Sequence, residues 1–579
     1  MMNPLLLFEF SDKNGQITPL SFQDPLRIYQ TNHVSEIHHI MLQVEKEVDA
    51  GYFAAGYVSY EAAPAFLPNS KVYQNTNIPL IWFAIFEKPS KEIPKFTEPF
   101  SVSKWKLHTS RLDYEKGISK IKHAIEIGDT YQVNYTARLA ADFYGDDFSF
   151  YKQLVDKQKA SFSAYLNIGN RRILSVSPEL FFRIDGTKIT TKPMKGTAKR
   201  GRFLEEDRNQ MIHLRKSEKE MAENIMIVDL LRNDVSRIAK PGSVKVNKLF
   251  EVESYPTVHQ MTSTIEAELQ PNTTIFEWFQ ALFPCGSITG APKLRTMDYI
   301  AELETSPRDV YCGAIGYITP DRDAVFNVPI RTVIVDTVSH QATYGVGGGI
   351  TWDSTVDGEY EELFAKAQVL SEEPIPTFQL LESISLENGT FPLWPLHRER
   401  LQQSASYFDY PVDWNIIEEE MMELANQHNS GHFKTRLLID RNGQHVLEAE
   451  KVVSVKGPVI CTLAKSAINK ADRFLFHKTT HRSIYDKHQK EAPDSCFSPL
   501  LWNEQEELTE FTFGNLVVEK NGAFYTPPQT CGLLAGTLRQ HLLNQGKIEE
   551  KVITKTDLIT YEKIWFINSV RGWLEVQMK

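Results

Sequence analysis

The segment Ser371-Glu372-Glu373-Pro374-Ile375-Pro376-Thr377 constrains this chain most, because no helix or interior strand can run through it. Each proline fixes φ and removes a backbone donor, and here two of them follow a helical pattern carried by Phe364, Ala367 and Leu370. The chain therefore divides into a module over residues 1–370, a linker at 371–377 and a second module over 378–579. Its 579 residues exceed what one core can organise, and a prior of about 150 residues per domain gives roughly three or four structural units. A second proline-bearing stretch, Lys88 to Pro99, sets an auxiliary portion (1–100) apart from a segment over 105–370. A loop inside one folded unit would read the same way. Alternations such as Leu180-Phe181-Phe182-Arg183-Ile184 and Ala342-Thr343-Tyr344 are mixed with helical stretches such as Glu218 to Ala239, which makes the class α+β.

Composition narrows the function classes. With 42% apolar and 24% charged residues the chain is an ordinary globular one. A net charge of −11 without a concentrated basic tract argues against nucleic acid, which needs clustered Lys and Arg. No stretch approaches the roughly 20 uninterrupted apolar residues of a membrane span, and Met1 to Phe10 lacks the basic start and cleavage site of a signal peptide. A cytoplasmic, membrane-free enzyme acting on small molecules is the expectation. The five cysteines, Cys285, Cys312, Cys461, Cys496 and Cys531, are scattered without C-x-x-C spacing, so reduced thiols are expected.

Two carboxylate pairs stand out in the first module. Glu220 and Glu223, three apart in a predicted helix, share one face, with Met221, Ile225, Val228 and Leu231 expected as the opposing apolar stripe. Glu359 and Glu362 repeat the spacing ahead of Leu363 to Leu370. Such pairs suit a hard divalent cation, although on spacing alone each is more often a solvated helix face. Between them lie Phe283-Pro284-Cys285-Gly286-Ser287-Ile288-Thr289-Gly290-Ala291-Pro292-Lys293 and the run Tyr344-Gly345-Val346-Gly347-Gly348-Gly349-Ile350. Three successive glycines offer only backbone, either to approach an anion closely or to make a tight turn or bulge. Lys195, in Pro193-Met194-Lys195-Gly196-Thr197, reads as one cation of a basic loop that also holds Lys192, Lys199 and Arg200.

Together with Gly128 to Tyr135, Ser177 to Phe181 and Leu231-Arg232-Asn233-Asp234, these segments occur in one order, and the stretch from about Ser110 to Leu370 resembles the chorismate-utilising family. That family holds anthranilate synthase component I, aminodeoxychorismate synthase component I and the isochorismate synthases. The resemblance implies an anthranilate synthase component I-like fold of antiparallel sheets flanked by helices, with a magnesium ion bridging protein and substrate carboxylate. By position it implies Glu223 and Glu362 as metal ligands with Glu220 and Glu359 in support, and Glu179 as the general acid that expels the chorismate hydroxyl. Gln132, His259, Thr289, Tyr311, Arg331 and Lys366 fall at substrate-contacting positions, and Gly347, Gly348 and Gly349 would offer backbone donors. Gln132 stands where isochorismate synthases resembling this chain carry a lysine base for water. Lys195 stands where anthranilate synthases carry alanine and aminodeoxychorismate synthases carry lysine. An unprotonated lysine attacking ring carbon C2 can displace the C4 hydroxyl, after which ammonia enters at C4 and expels the lysine. Neither module shows the nucleophilic cysteine of a glutaminase, so ammonia would come from a separate glutamine amidotransferase subunit or from solution. Ala55 to Glu61 resembles the auxiliary subdomain of the aminodeoxychorismate branch, and whether that portion binds a tryptophan-like ligand stays open.

The second module carries Leu396-His397-Arg398-Glu399-Arg400-Leu401, Phe476-His477-Lys478-Thr479-Thr480-His481-Arg482, Leu508 to Asn515, and Thr526-Pro527-Pro528 followed by Gly532 to Arg539. In that order they resemble the class IV pyridoxal-phosphate enzymes, which have a D-amino-acid aminotransferase-like fold. Thr509, Phe511 and Phe513 alternate as a strand that would present Glu510 on its other face. The resemblance implies Lys478 as the Schiff-base lysine, Glu510 as partner of the pyridinium nitrogen, and Arg400 with the N–H groups of Thr537 and Leu538 at the phosphate. The region before His397 is short for this class, and no threonine near Leu381 and Glu382 matches the one that assists proton transfer in some lyases. Lyase and aminotransferase therefore both stand for this half, as does a scaffold without chemistry. Joined to an aminodeoxychorismate-forming half, the lyase would yield 4-aminobenzoate and pyruvate for folate synthesis, while an anthranilate-type synthase fused to an aminotransferase is the alternative.

Overall fold

The computed structural model describes residues 4–90, 93, 98–371, 377–455 and 457–579. It forms two compact units, Met1–Arg200 with Gln210–Pro374 and Gly201–Asn209 with Ile375–Lys579. The interior of the proline seam at 371–377 and the middle of the Lys88 to Pro99 stretch lie outside the described residues.

The first unit is built on two ten-stranded sheets paired antiparallel throughout. One runs Gly290–Ala291, Gln132–Gly145, Gln341–Ile350, Thr332–Asp336, Arg171–Ser177, Phe162–Asn167, Leu5–Phe10, Leu20–Gln23 along its main path. The other begins Met194–Lys199, Val258–Glu268, Lys188–Lys192, Leu180–Asp185 and ends with Phe53–Val58, Ile81–Phe86, Arg27–Thr31. The first hundred residues thus supply outer strands to both sheets. The strand Leu180–Asp185 is buried over five of its six residues, Arg183 included, so the alternation expected from its sequence does not separate a buried face from a solvated one. One apolar cluster takes Leu139 and Leu174 from the first sheet, Phe182 and Ile184 from the second, and Trp278 and Phe279 from the helix Ile275–Leu282. That helix starts with a capping box of Thr274 and Glu277.

The helix expected over Glu218 to Ala239 spans Glu218–Ser236, with Ser217 as N-cap accepting from the Glu220 N–H. Its buried face is Asn224, Ile227, Val228, Leu231 and Val235, whereas Ile225 is exposed. At 100° per residue Glu220 and Glu223 belong to the N-terminal end of this inward face. The expected opposition of acids and apolar stripe is therefore replaced by a single face that is apolar along its length and acidic at its start.

The second unit combines the antiparallel sheet Leu380–Glu387, His432–Ile439, His445–Lys451 with an eight-stranded sheet whose main path runs Val459–Cys461, Gly572–Met578, Lys563–Asn568, Gly514–Lys520, Leu508–Phe511, Leu500–Trp502. The strand holding Glu510 is Leu508–Phe511, buried at all four positions. Phe513 lies beyond its end and is exposed, so the expected alternation stops at Phe511. All five cysteines are free and buried, and among the described residues no helix is long and apolar enough to cross a membrane.

Candidate active sites

The chain passes from one sheet of the first unit to the other through Ser177-Pro178-Glu179, between the strands Arg171–Ser177 and Leu180–Asp185, and this crossing holds Glu179 with 3% exposure. Burial raises its carboxyl to about 7, against hydrogen bonds from Ser287 and the Met194 backbone and the charge of Lys195. Lys195 itself is not in a loop but in the strand Met194–Lys199. The register of that strand against Val258–Glu268 slips between Met194 and Thr197, with Gly196 at φ +95°. A bulge re-aims the side chain it carries. Here it turns Lys195 into the field of Glu223, Glu179 and Glu362, while burial and the neighbouring Lys366 hold its amine below the ordinary lysine value. Sequence spacing carries no sign of this bulge beyond the glycine.

Gln132 lies close by. Its amide donates to Glu223 Oε2 at 3.3 Å, and its buried Oε1 has no hydrogen-bond partner among the described residues. An acceptor left unsatisfied in a 1%-exposed side chain needs a visiting donor. The carboxylate pairs flank this point: a Cβ added to Gly196 would lie 3.0 Å from Glu220 Oε2, and one on Gly348 would lie 3.0 Å from Glu359 Oε2 and 3.5 Å from Glu362 Oε1. Burial and the neighbouring carboxylates raise Glu220; burial first, and then Glu362, raise Glu359. Lys366 pairs with Glu362 at 2.6 Å and donates to the Gly347 carbonyl at 2.7 Å. Among the described residues no three His, Cys, Asp or Glu side chains converge to enclose a metal ion. The donor set fits magnesium nonetheless, because that ion keeps several waters and takes one or two carboxylates plus its substrate rather than an all-protein cage.

The glycine run forms neither turn nor bulge but part of the regular strand Gln341–Ile350, paired with Gln132–Gly145. Opposite Gly347 and Gly349 stand Thr136 and Asn134, whose N–H groups go instead to Glu304 Oε1 and the Thr289 carbonyl. These are the non-hydrogen-bonded pairs of the ladder, so the N–H groups of both glycines turn away from it, while Gly348 spends its own on Tyr135. The missing side chains also make room: a Cβ at Gly349 would sit 2.1 Å from Gln132 Nε2 and 3.1 Å from Lys195 Nζ. Tyr311 lies under Gly345, where a Cβ would come within 2.5 Å of its ring, and the Arg138 guanidinium covers the same ring at 5.0 Å. His259, fully buried and opposite Ala198, shares a 2.9 Å hydrogen bond with Ser254 Oγ. Thr289 donates to the Cys285 carbonyl at 3.1 Å and so braces its own turn. Arg331 sits at φ +51°, hydrogen-bonded to Gln158 and pushed below the usual guanidinium value by burial.

In the second unit a cavity of about 340 Å3 is lined by Lys478, Glu510, Arg400, Thr537 and Asn515 among others. Burial and Arg400 bring the Lys478 amine down to about 8. Burial raises Glu510 to about 7 although Tyr485 donates to it at 2.8 Å and the Leu534 N–H at 3.0 Å. Thr537 opens the helix Thr537–Asn544 behind Gly536, whose Cβ would meet Asn515 Oδ1 at 1.9 Å. Glu382, which sequence reasoning does not single out, grips Arg400 by two hydrogen bonds of 2.9 and 2.6 Å and His397 by one of 2.7 Å. His397 in turn meets Thr537 Oγ1 at 3.0 Å. Its only sequence signal is a charged residue inside the apolar strand Leu380–Glu387. A neutralisable amine, a protonatable carboxyl and a braced guanidinium beside a helix start form a fitting set for pyridoxal phosphate.

Residues 8–372 match the family model described as chorismate binding enzyme, and residues 379–578 match amino-transferase class IV. Aminodeoxychorismate synthase component 1 of Salmonella typhimurium is 41% identical over 277 residues, 48% of this chain and 61% of that protein. The Escherichia coli K12 protein of the same name is 42% identical over 264 residues, 46% of this chain and 58% of that one. The matched stretch thus spans about three-fifths of these relatives' length. Anthranilate synthase component I from Streptococcus pneumoniae TIGR4 superposes with a TM-score of 0.52 at 26% identity, over 64% of this chain and 91% of that one.

Proposed function

The chain belongs to the chorismate binding enzymes, and from that premise we propose that it converts chorismate to 4-aminobenzoate in two steps, amination in its first unit and pyruvate elimination in its second. The observation that carries the reading is Lys195, turned by its bulge into the space shared by Glu179, Gln132 and Glu223.

In the first step neutral Lys195 Nζ bonds to ring carbon C2, both ring double bonds shift (C1=C2 to C1=C6 and C5=C6 to C4=C5), and the C4 hydroxyl leaves as water with the proton of Glu179. Ammonia then bonds to C4, both double bonds shift back and Lys195 departs from C2 as the free amine. The ammonium formed at C4 returns a proton to Glu179, so the net reaction exchanges hydroxyl for amine. Gln132 Oε1, the unpartnered acceptor, suits the N–H of the incoming ammonia. Gly347 and Gly349 aim N–H groups at a substrate carboxylate. Glu223 and Glu362, with Glu220 and Glu359 behind them, would hold a magnesium ion, which supplies charge neutralisation for the ring carboxylate. Ammonia would come from a glutamine amidotransferase partner, and the buried free thiols accord with a cytoplasmic setting.

In the second unit Arg400 and the start of the helix Thr537–Asn544 would hold the phosphate of pyridoxal phosphate, and Glu510 its ring nitrogen. When bound, that group supplies an electron sink beside the substrate's amine. Lys478 Nζ, neutral in part near pH 8, takes the proton from C4. Loss of enolpyruvate leaves the aromatic product, and protonation of its methylene carbon gives pyruvate. Lys434, Arg436 and Arg571 add positive charge to the cavity lining, which suits a substrate with two carboxylates.

Purified protein given chorismate, magnesium, ammonium and pyridoxal phosphate should release 4-aminobenzoate and pyruvate. Accumulation of 2-aminobenzoate instead would replace this reading with an anthranilate-type synthase.

A further inference from the structure

Glu179 is gripped from one side by a hydroxyl that the proposed chemistry has not yet used. Ser287 lies in the short turn Gly286–Ile288, is 5% exposed, and donates to Glu179 Oε1 at 2.6 Å. Its oxygen is also 3.2 Å from Cys285 Sγ. A serine owns one proton, and with that proton committed to Glu179 the thiol becomes the donor to Ser287. The turn is braced and closely packed: Thr289 Oγ1 donates to the Cys285 carbonyl at 3.1 Å, and a Cβ on Gly286 would lie 2.3 Å from Leu230 Cδ2.

We propose that Ser287 is the positioning residue of the acid: by donating to Oε1 it makes that oxygen the carbonyl of the protonated carboxyl and leaves Oε2 to carry the proton toward the departing hydroxyl. This rests on Glu179 being the acid of the amination step. The two oxygens of a carboxyl are equivalent in water, and a proton on the wrong one points away from the leaving group. A fixed donor on Oε1 removes that ambiguity, because an O–H on Oε1 would face the serine's own proton. The same hydrogen bond favours the ionised form, so it also holds Glu179 from rising further under burial. The other titratable groups around it are Lys195 on the strand Met194–Lys199 and Cys285, whose thiol burial pushes up to about 12 and out of the working range.

The test measures ammonia-dependent amination in the full chain across pH for wild type, Ser287→Ala, Ser287→Thr and Glu179→Gln. Ser287→Ala should lower kcat by about tenfold or more, leave KM for chorismate within about twofold, and move the alkaline limb of kcat upward. Ser287→Thr, which restores the hydroxyl, should recover most of kcat and return the limb. Unchanged thermal unfolding of each variant separates these effects from misfolding. If Ser287→Ala keeps the wild-type kcat and limb while Glu179→Gln is inactive, the positioning role is overturned and the acid stands. If Glu179→Gln itself keeps activity, the acid reading fails first.

Discussion

A lysine attacks only as the free amine and an acid donates only as the neutral carboxyl, so the roles proposed for Lys195 and Glu179 require protonation states opposite to those they keep in water. Burial does both: it lowers the ammonium and raises the carboxyl to about 7. The sign follows. Activity is lost on the acid side as Lys195 gains its proton and on the alkaline side as Glu179 loses its own, so kcat for amination should be bell-shaped, with the limb set by Glu179 near pH 7. A profile rising monotonically to pH 9 would contradict the pairing. Lys195→Ala should cut formation of 4-amino-4-deoxychorismate by more than about a hundredfold and divert what turnover remains toward the anthranilate precursor aminated at C2, checked by product chromatography. In the second unit Glu382 is held down to about 2 by Arg400 and His397 against its own burial. Glu382→Ala strands the buried Arg400 guanidinium and leaves the His397 ring without its partner, and should cost about 3–5 kcal/mol in that unit, read by denaturant unfolding. Pyridoxal phosphate affinity should fall with it.

Elements explain why some of these residues could be read from sequence and others not. The glycines of Gln341–Ile350 announce close approach, and two different things approach them. A Cβ at Gly347 would meet the Tyr135 carbonyl at 2.4 Å, a backbone atom that cannot yield. At Gly349 it would meet the end of the Gln132 side chain at 2.1 Å. Gly347→Ala should therefore destabilise the first unit by about 1–3 kcal/mol. Gly349→Ala should fold nearly normally yet lose amination by about tenfold or more, because Gln132 must leave Glu223. Equal loss of stability in both variants would refute the distinction. Carboxylate spacing, the Lys195 register and the Lys478, Glu510 and Arg400 order were legible because identity and interval survive in one dimension. The Lys195 bulge, the inward turn of Glu220 and Glu223, and the Glu382 clasp were not. Each depends on which neighbour a strand or helix meets, and a period of 2 or 3.6 residues specifies a face without naming its partner.

At the scale of the molecule, the two proposed reactions fall on two separately cored units, one organised around Leu139, Phe182 and Trp278 and the other around Leu380, Leu508 and Phe566. Their requirements do not overlap: the first set of side chains is built from carboxylates that suit a hard cation, the second from an amine, a carboxyl and a guanidinium that suit a phosphorylated pyridine. Each reaction should then be removable alone. Chelation of divalent cations should stop chorismate consumption while supplied 4-amino-4-deoxychorismate is still cleaved to 4-aminobenzoate and pyruvate. Lys478→Ala should do the reverse, abolishing pyruvate release and the visible absorption of lysine-linked pyridoxal phosphate while chorismate is consumed at the wild-type rate and 4-amino-4-deoxychorismate accumulates. Because Lys478 and its neighbours contribute nothing to the core of the first unit, its thermal transition should stay in place. Pyruvate formation persisting in Lys478→Ala would remove the lysine from the second reaction. A fall in chorismate consumption in the same variant would show that the first step depends on the second and that the two units are not chemically independent.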